Sequence, residues 1–312
     1  MWGTNMILDF WRLGTRIYNT SNWREVHRLI VFLGRSLVHA GGVRELYAWF
    51  QTDPARRELL KRQPYAMEQV TRAFFYAGST FAERKALIQH HIAILQACMT
   101  PENVVRFAAF DARYRLWEAD AEDIDWYLML NFEPGQRKEG LLSVMMMLGD
   151  EELYQIMCWL DKNAAGEKVL VIGAMQGPNM DGAKDVIKDI TKRSYRYRTK
   201  NLILYMTQAV ARSFGVQHIY AVTNEGYYAQ NHVRRDRKLK TDFGAFWEEA
   251  GGWKTDDPRF DELPLTEPRK TMEEVPTRKR AQYRKRFAFL DDVDAQIAAN
   301  MAKVLRPAEE TK

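Results

Sequence analysis

The sequence predicts an α+β protein: a mostly antiparallel sheet with flanking helices, preceded by a helical N-terminal region. Three observations lead to this class. Residues 1 to about 112 carry apolar side chains at helical spacing. From residue 126 to 175, short apolar runs alternate with turn residues. The spacers between those runs are too short for a parallel return, which needs a crossover of about a dozen residues. The reading divides the chain into a helical region at 1–115, a sheet-containing core at 116–230 and a basic, aromatic extension at 231–312 that packs on the core. With 46% hydrophobic residues over 312 positions, there is enough apolar material for a core and an accessory region.

Taken in order, residues 23–50 repeat Val26, Leu29, Ile30, Leu33, Leu37 and Val38, break at Gly41-Gly42, and resume with Val43, Leu46, Tyr47 and Phe50. Asp53 is placed to cap a short helix that has Pro54 at its first position. Residues 65–76 and 81–99 read as helices separated by Gly78-Ser79-Thr80. The runs WYLMLNF (126–132), LLSVMMML (141–148), LYQIMCWL (153–160) and VLVIGAM (169–175) read as strands. A wholly helical protein is the alternative and conflicts with their length and flanking turns. Helices are expected at 181–192 and at 199–214, the second stopped by Gly215, followed by a short strand at 218–223. Beyond 231 the chain reads as loop, with a short helix at 245–250 and a closing helix at 277–304.

The formal charge of +5, from 46 basic and 41 acidic residues, permits an anionic partner without naming one. Cys98 and Cys158 form no paired motif, so a disulfide framework and a cysteine zinc site are not expected. The adjacent His90 and His91 diverge by about 100° on a helix and cannot make an i, i+4 metal pair, so no metal site is predicted. Asp9, Arg12 and Arg16 interrupt the apolar start, and no run approaches the roughly 20 apolar residues of a membrane span. A cytoplasmic location is the expectation.

The order of four antiparallel strands, a helical segment, a helix and a strand resembles the GNAT acyltransferase core. That resemblance implies coenzyme A or a phosphopantetheine carrier as acyl donor, with phosphate held at the start of the 199–214 helix. Helix N-termini favour anions through free N–H groups and the helix dipole. Six basic residues and one acid lie between Lys188 and Lys200, so Gln176, Arg196, Arg198, Thr199, Lys200 and Asn201 are the candidate donor-binding residues. The glycines usual in such a loop are absent from 193–201. Glu139, Asn224 and Glu225 are candidate catalytic groups: Glu139 precedes a strand, and Asn224 and Glu225 follow the last one. Asn224 also suits a turn or cap. His218 and His232 are weaker proton donors, and Tyr195 and Tyr197 make single-stranded nucleic acid a remote partner only. Arg278–Arg286 suggests a possible anionic membrane surface.

Several segments in fixed order resemble the VirK/YbjX family. They are Val171–Pro178 (VIGAMQGP), Ile190-Thr191-Lys192, Arg198–Leu202 (RTKNL), Ala221–Asn224 (AVTN), Asp242–Gly252 (DFGAFWEEAGG) and Pro276–Arg286 (PTRKRAQYRKR), with Glu139-Gly140-x-Leu142 and Glu83-Arg84 before His90-His91. The resemblance spans roughly residues 60–300. Segment 194–200 departs from it, lacking the usual His and Gly. Membership implies a Gram-negative bacterial protein linked to virulence or envelope integrity. Two function classes follow: an acyltransferase, or a non-catalytic binding or regulatory protein on a degenerate acyltransferase fold.

Overall fold

The computed structural model describes residues 6–231 and 242–306, so His232 and the basic run at 234–240 lie outside the described residues. The N-terminal region forms α1 (Met6–Ile17), α2 (Trp23–Val38), α3 (Ala40–Gln51), α4 (Pro54–Arg62), α5 (Tyr65–Thr71), α6 (Phe81–Cys98) and α7 (Pro101–Ala108). Asn22, Asp53, Thr80 and Thr100 each accept a backbone N–H in the first turn that follows, and Thr80 with Glu83 closes a capping box.

Two boundaries differ from the sequence reading. The 23–50 helix breaks at His39 rather than at Gly41-Gly42; Gly42 lies within α3, where the Phe81 ring fills the space a side chain would need. The helix begun at Tyr65 ends at Thr71 rather than at 76. There the chain turns so that the Phe75 N–H donates to Lys138 O at 2.7 Å, with Phe75 at φ 72°.

The sheet contains β1 (Tyr114–Glu118), β2 (Trp126–Asn131), β3 (Leu142–Leu148), β4 (Glu151–Lys162), β5 (Lys168–Gln176), β6 (His218–Val222), β7 (Trp253–Lys254) and β8 (Phe260–Leu263), in the order β1-β2-β3-β4-β5-β6-β8-β7. All its pairings are antiparallel except β5 with β6. β1, β7 and β8 escaped the sequence reading: each is short, and β7 and β8 lie in a segment expected to be loop. The crossover from β5 to β6 runs through α8 (Ala183–Arg193) and α9 (Thr199–Ser213). After α10 (Phe243–Glu249), a longer helix, α11 (Arg280–Val304), closes the chain.

Side-chain alternation along β5 divides the interior. Leu170, Ile172 and Ala174 join the core under α9 and α11, whereas Val169 and Val171 join a second core built with the N-terminal helices. Both faces of the middle strands are therefore covered, which is why their sequences read as continuous apolar runs.

Candidate active site

β5 continues to Gln176, but its ladder with β6 stops at Ile172–Ala221. Just past that point lies Gly173, where an added Cβ would overlap the Glu139 backbone oxygen and approach the Trp159 ring to 2.8 Å. Gly140 presses similarly on Cys158, whose carbonyl oxygen would lie 2.7 Å from its Cβ. These two glycines let the segment before β3 lie flat on the sheet. Its backbone is pinned by Leu141 N–H to Cys158 O (2.9 Å) and Glu139 N–H to Gln136 O (2.9 Å).

So placed, the partly buried Glu139 carboxyl accepts the Tyr227 hydroxyl at 3.0 Å and also hydrogen-bonds Tyr228. Both tyrosines follow β6. Gly226 fixes that turn: its N–H donates to Thr223 Oγ1 (3.1 Å) and its carbonyl accepts Ala77 N–H (2.8 Å). The Tyr227 ring packs against Phe243 at 5.8 Å and the Tyr228 ring against Phe74 at 6.2 Å. Burial raises the Glu139 pKa above the ordinary carboxylate range, against the opposing effects of the Tyr227 hydrogen bond and the Lys138 charge. Such a group exchanges a proton closer to neutral pH than an exposed glutamate does.

Beside it lies a cationic cluster. Glu68, 1% exposed, accepts Arg137 at 2.7 Å and Arg72 at 3.2 Å. Gln69 Nε2 donates to Arg137 O at 2.8 Å, and the Arg137 guanidinium lies 4.4 Å over the Tyr65 ring. Burial lowers the Lys138 pKa; Glu139 opposes that shift, and the charges of Arg137, Arg72 and Arg28 add to it.

The other candidates are scattered. Asn224 Oδ1 accepts Phe243 N–H (2.8 Å) and its Nδ2 donates to Asp242, the cap of α10; its geometry is that of a connector. Glu225 is exposed, as is Gln176 at the end of β5. Arg198 and Lys200 both pair with Glu249 of α10, Lys200 at 3.0 Å. The buried Thr199 hydroxyl hydrogen-bonds Thr191 at 3.3 Å, and Asn201 Oδ1 is buried without a partner. Tyr195 and Arg196 occupy left-handed backbone, φ 53° and 61°, and the Tyr195 carbonyl accepts Gln282 and Arg286 of α11. His218 bridges Glu262 (2.7 Å) and Glu167 (3.2 Å), which raise its pKa. His90 pairs with Asp161 at 2.7 Å. Among the described residues no three His, Cys, Asp or Glu side chains converge on a metal position, and no helix is long and apolar enough to cross a membrane.

Tyr227, Tyr228, Glu68, Arg137 and Gly173 belong to the site or its frame, and sequence reasoning missed all five. The signal for Gly173 was present: a glycine inside an apolar strand marks close approach of another backbone.

The chain is 27% identical over 278 residues to "Uncharacterized protein YbjX" of Escherichia coli (strain K12), covering 86% of this chain and 81% of that protein. An uncharacterized protein of Haemophilus influenzae is 30% identical over 124 residues, covering 40% of this chain and 41% of that one. "Membrane protein LapB" of Mannheimia haemolytica is 23% identical over 193 residues, covering 60% of this chain and 79% of that one. The family described as "Protein of unknown function (DUF535)" matches residues 21–299, so the chain belongs to this family, the VirK/YbjX family.

Proposed function

We propose that this protein transfers an acyl group from coenzyme A or a phosphopantetheine carrier, on a GNAT-like core, with Glu139 as the proton-transfer group. The observation that carries the reading is the Glu139 carboxyl, desolvated and bonded to Tyr227 where β5 and β6 part. Crevices at the carboxyl ends of parallel strands are favoured ligand sites in open α/β sheets. The ionised carboxylate would take the proton of an acceptor hydroxyl or amine as its oxygen or nitrogen attacks the thioester carbonyl. The carbon–sulfur bond then breaks, and the proton passes to the departing thiolate. Gln176, Arg196, Arg198, Thr199, Lys200 and Asn201 would serve the donor phosphates at the start of α9. At the level of the cell, the same proposal places the acceptor in the bacterial envelope, in keeping with a relative named as a membrane protein and with the role in virulence or envelope integrity that the family resemblance implies.

Thiol release from acetyl- and decanoyl-coenzyme A, with calorimetric titration of both, tests the reading. Glu139→Gln should slow release by about 10²–10⁴-fold with little change in donor binding. The acidic limb of the parent rate should lie above the ordinary carboxylate range. Absence of both release and donor binding would sink the proposal. A second reading, a non-catalytic binding or regulatory protein, is favoured by one observation: Arg198 and Lys200 are already engaged by Glu249. It expects no thiol release, with any donor binding unchanged in Glu139→Gln.

A further inference from the structure

Large apolar side chains left in water are concentrated in one place. Of the eight that stand exposed among the described residues, seven belong to α1 and α2: Ile7, Leu8, Trp11, Trp23, Ile30, Leu37 and Val38. On α2 they form a stripe. Trp23 (77% exposed), Ile30 (56%) and Leu37 (41%) recur every seven residues. His27 and Gly34 fall between them on the same face; His27 is exposed, and a Cβ on Gly34 would meet nothing. The opposite face, Leu29, Phe32 and Ser36, is buried. Arg24, Arg28 and Arg35 line one side of the stripe, each roughly 100–140° around the helix from Trp23. The single acid on α2, Glu25, pairs with Arg28. A helix with an apolar stripe, an aromatic side chain and flanking arginines is built to lie in a bilayer interface, where the arginines reach lipid phosphates.

The inner end of this surface is cationic as well. Arg35 is within electrostatic reach of Arg72 and Glu68. Arg72 and Arg137 share the buried Glu68, and Lys138 follows Arg137 in the segment that ends in Glu139. Arg72 and Arg137 thus bond one buried carboxylate, Arg35 lies within electrostatic reach of it, and Lys138 joins Arg137 to Glu139 along the chain, so cations outnumber acids beside Glu139. A thioester donor cannot be the source of the anion here. Its phosphate sits a full pantetheine arm away from the reacting carbonyl, whereas this charge adjoins the proton-transfer group itself.

We propose that α2 docks on an anionic bilayer, with Trp23, Ile30 and Leu37 in the headgroup layer and Arg24, Arg28 and Arg35 on lipid phosphates, and that Arg72 and Lys138 receive the phosphate of a lipid headgroup beside Glu139. The docking stands on α2 alone. The role of the headgroup as acyl acceptor rests on the acyl-transfer reading above. This surface is distinct from Arg278–Arg286, where Arg286 is spent on the Tyr195 carbonyl and Arg280 on Val275 O.

Co-sedimentation of the full chain with phosphatidylcholine vesicles, and with vesicles also containing phosphatidylglycerol, tests the docking. Binding should require phosphatidylglycerol and weaken with salt. Arg24→Gln/Arg28→Gln/Arg35→Gln should lower partitioning on the order of 100-fold, at roughly five-fold per arginine. Trp23→Ser/Ile30→Ser should lower it at least about ten-fold. All these positions are exposed, so the circular dichroism and melting temperature of each variant should match the parent. Arg278→Gln/Arg284→Gln/Lys285→Gln should bind as the parent does. Failure to bind anionic vesicles at low salt overturns the docking. So does equal binding to both vesicles, a loss confined to the 278–285 variant, or a parent dimer that Ile30→Ser dissociates. Glycerol 1-phosphate supplies the soluble arm: if it binds the parent and not Lys138→Gln while vesicles fail, the cluster serves free phosphate esters and the bilayer is ruled out. Vesicle binding with no thioester binding would overturn the acyl reading and leave the docking intact.

Discussion

Glu139 and His91 are both ionisable groups withdrawn from water, with opposite consequences. Glu139 retains hydroxyl donors and partial access, so its proton remains exchangeable with a ligand. His91 is buried at 2% exposure on α6, its Nδ1 accepting the Leu160 N–H at 3.1 Å and its Nε2 without a partner. Burial lowers its pKa from 6.5 to about 3, so it stays neutral and structural. The unfolded chain binds the proton that the folded chain refuses. The His91 contribution is therefore complete above the unfolded pKa of 6.5 and is lost as pH falls from there toward about 3, at about 1.4 kcal/mol per pH unit. His91→Leu strands the Leu160 N–H and should cost about 1–3 kcal/mol at pH 7. Its unfolding free energy should also fall less steeply with acid than the parent's. Parallel urea curves between pH 7 and pH 4 check this, and equal slopes would reject a neutral buried imidazole.

The segment from α8 to α9 shows how an element changes the meaning of its residues. As sequence it is a run of cations ahead of a helix. In the fold, Glu249 on α10 holds Arg198 and Lys200, Thr191 holds Thr199, and α11 holds the Tyr195 carbonyl. If the start of α9 receives donor phosphates, Glu249 is their internal competitor. Glu249→Gln should then tighten coenzyme A binding several-fold at low salt, since the released cations are partly exposed and screened. Titration calorimetry of parent and variant decides it, and unchanged or weaker binding would move the donor phosphates elsewhere on the molecule.

At the scale of the whole molecule, the N-terminal helices form the second face of the sheet. Phe10, Phe50, Met67, Phe74 and Ile88 share one core with Trp159, Val169, Val171 and Val222. One polar tie across that junction is Glu68 of α5, bonded to Arg137 of the segment before β3. Removing one member of a buried ion pair leaves charge uncompensated. Glu68→Ala should therefore cost about 3–5 kcal/mol and should displace Glu139 along with Arg137. Urea unfolding should show a lower midpoint in a single transition. A loss below about 1 kcal/mol would mean that the Glu68–Arg137 pair contributes little to holding the junction.

Much of the architecture was legible because its signals are local. Asp53-Pro54, the Thr80–Glu83 box, the Gly215 stop and the turn residues between the strands each act within a few positions, and β2 to β6 and the helices they punctuate lie close to where periodicity puts them. β7 and β8 were not legible, because each is a strand only through pairing with a neighbour distant in the chain. Glu139 could be nominated from its place before β3, but its environment could not: Tyr227, Gly173 and Glu68 reach it from 88, 34 and 71 positions away. Family membership was carried by motifs in a fixed order, which sequence alone preserves. The composition of 193–201 pointed to an anion site, and only the fold showed that Glu249 and Thr191 already occupy its groups. What the sequence by itself determined was the fold class and most of the order of elements, set by short-range periodicity, capping and turn chemistry, and the family, set by motifs in a fixed order. What only the tertiary structure decided was which charges are free and which are spent, because ion pairing, burial and the shift of a carboxyl's pKa arise from contacts between segments that no local pattern encodes.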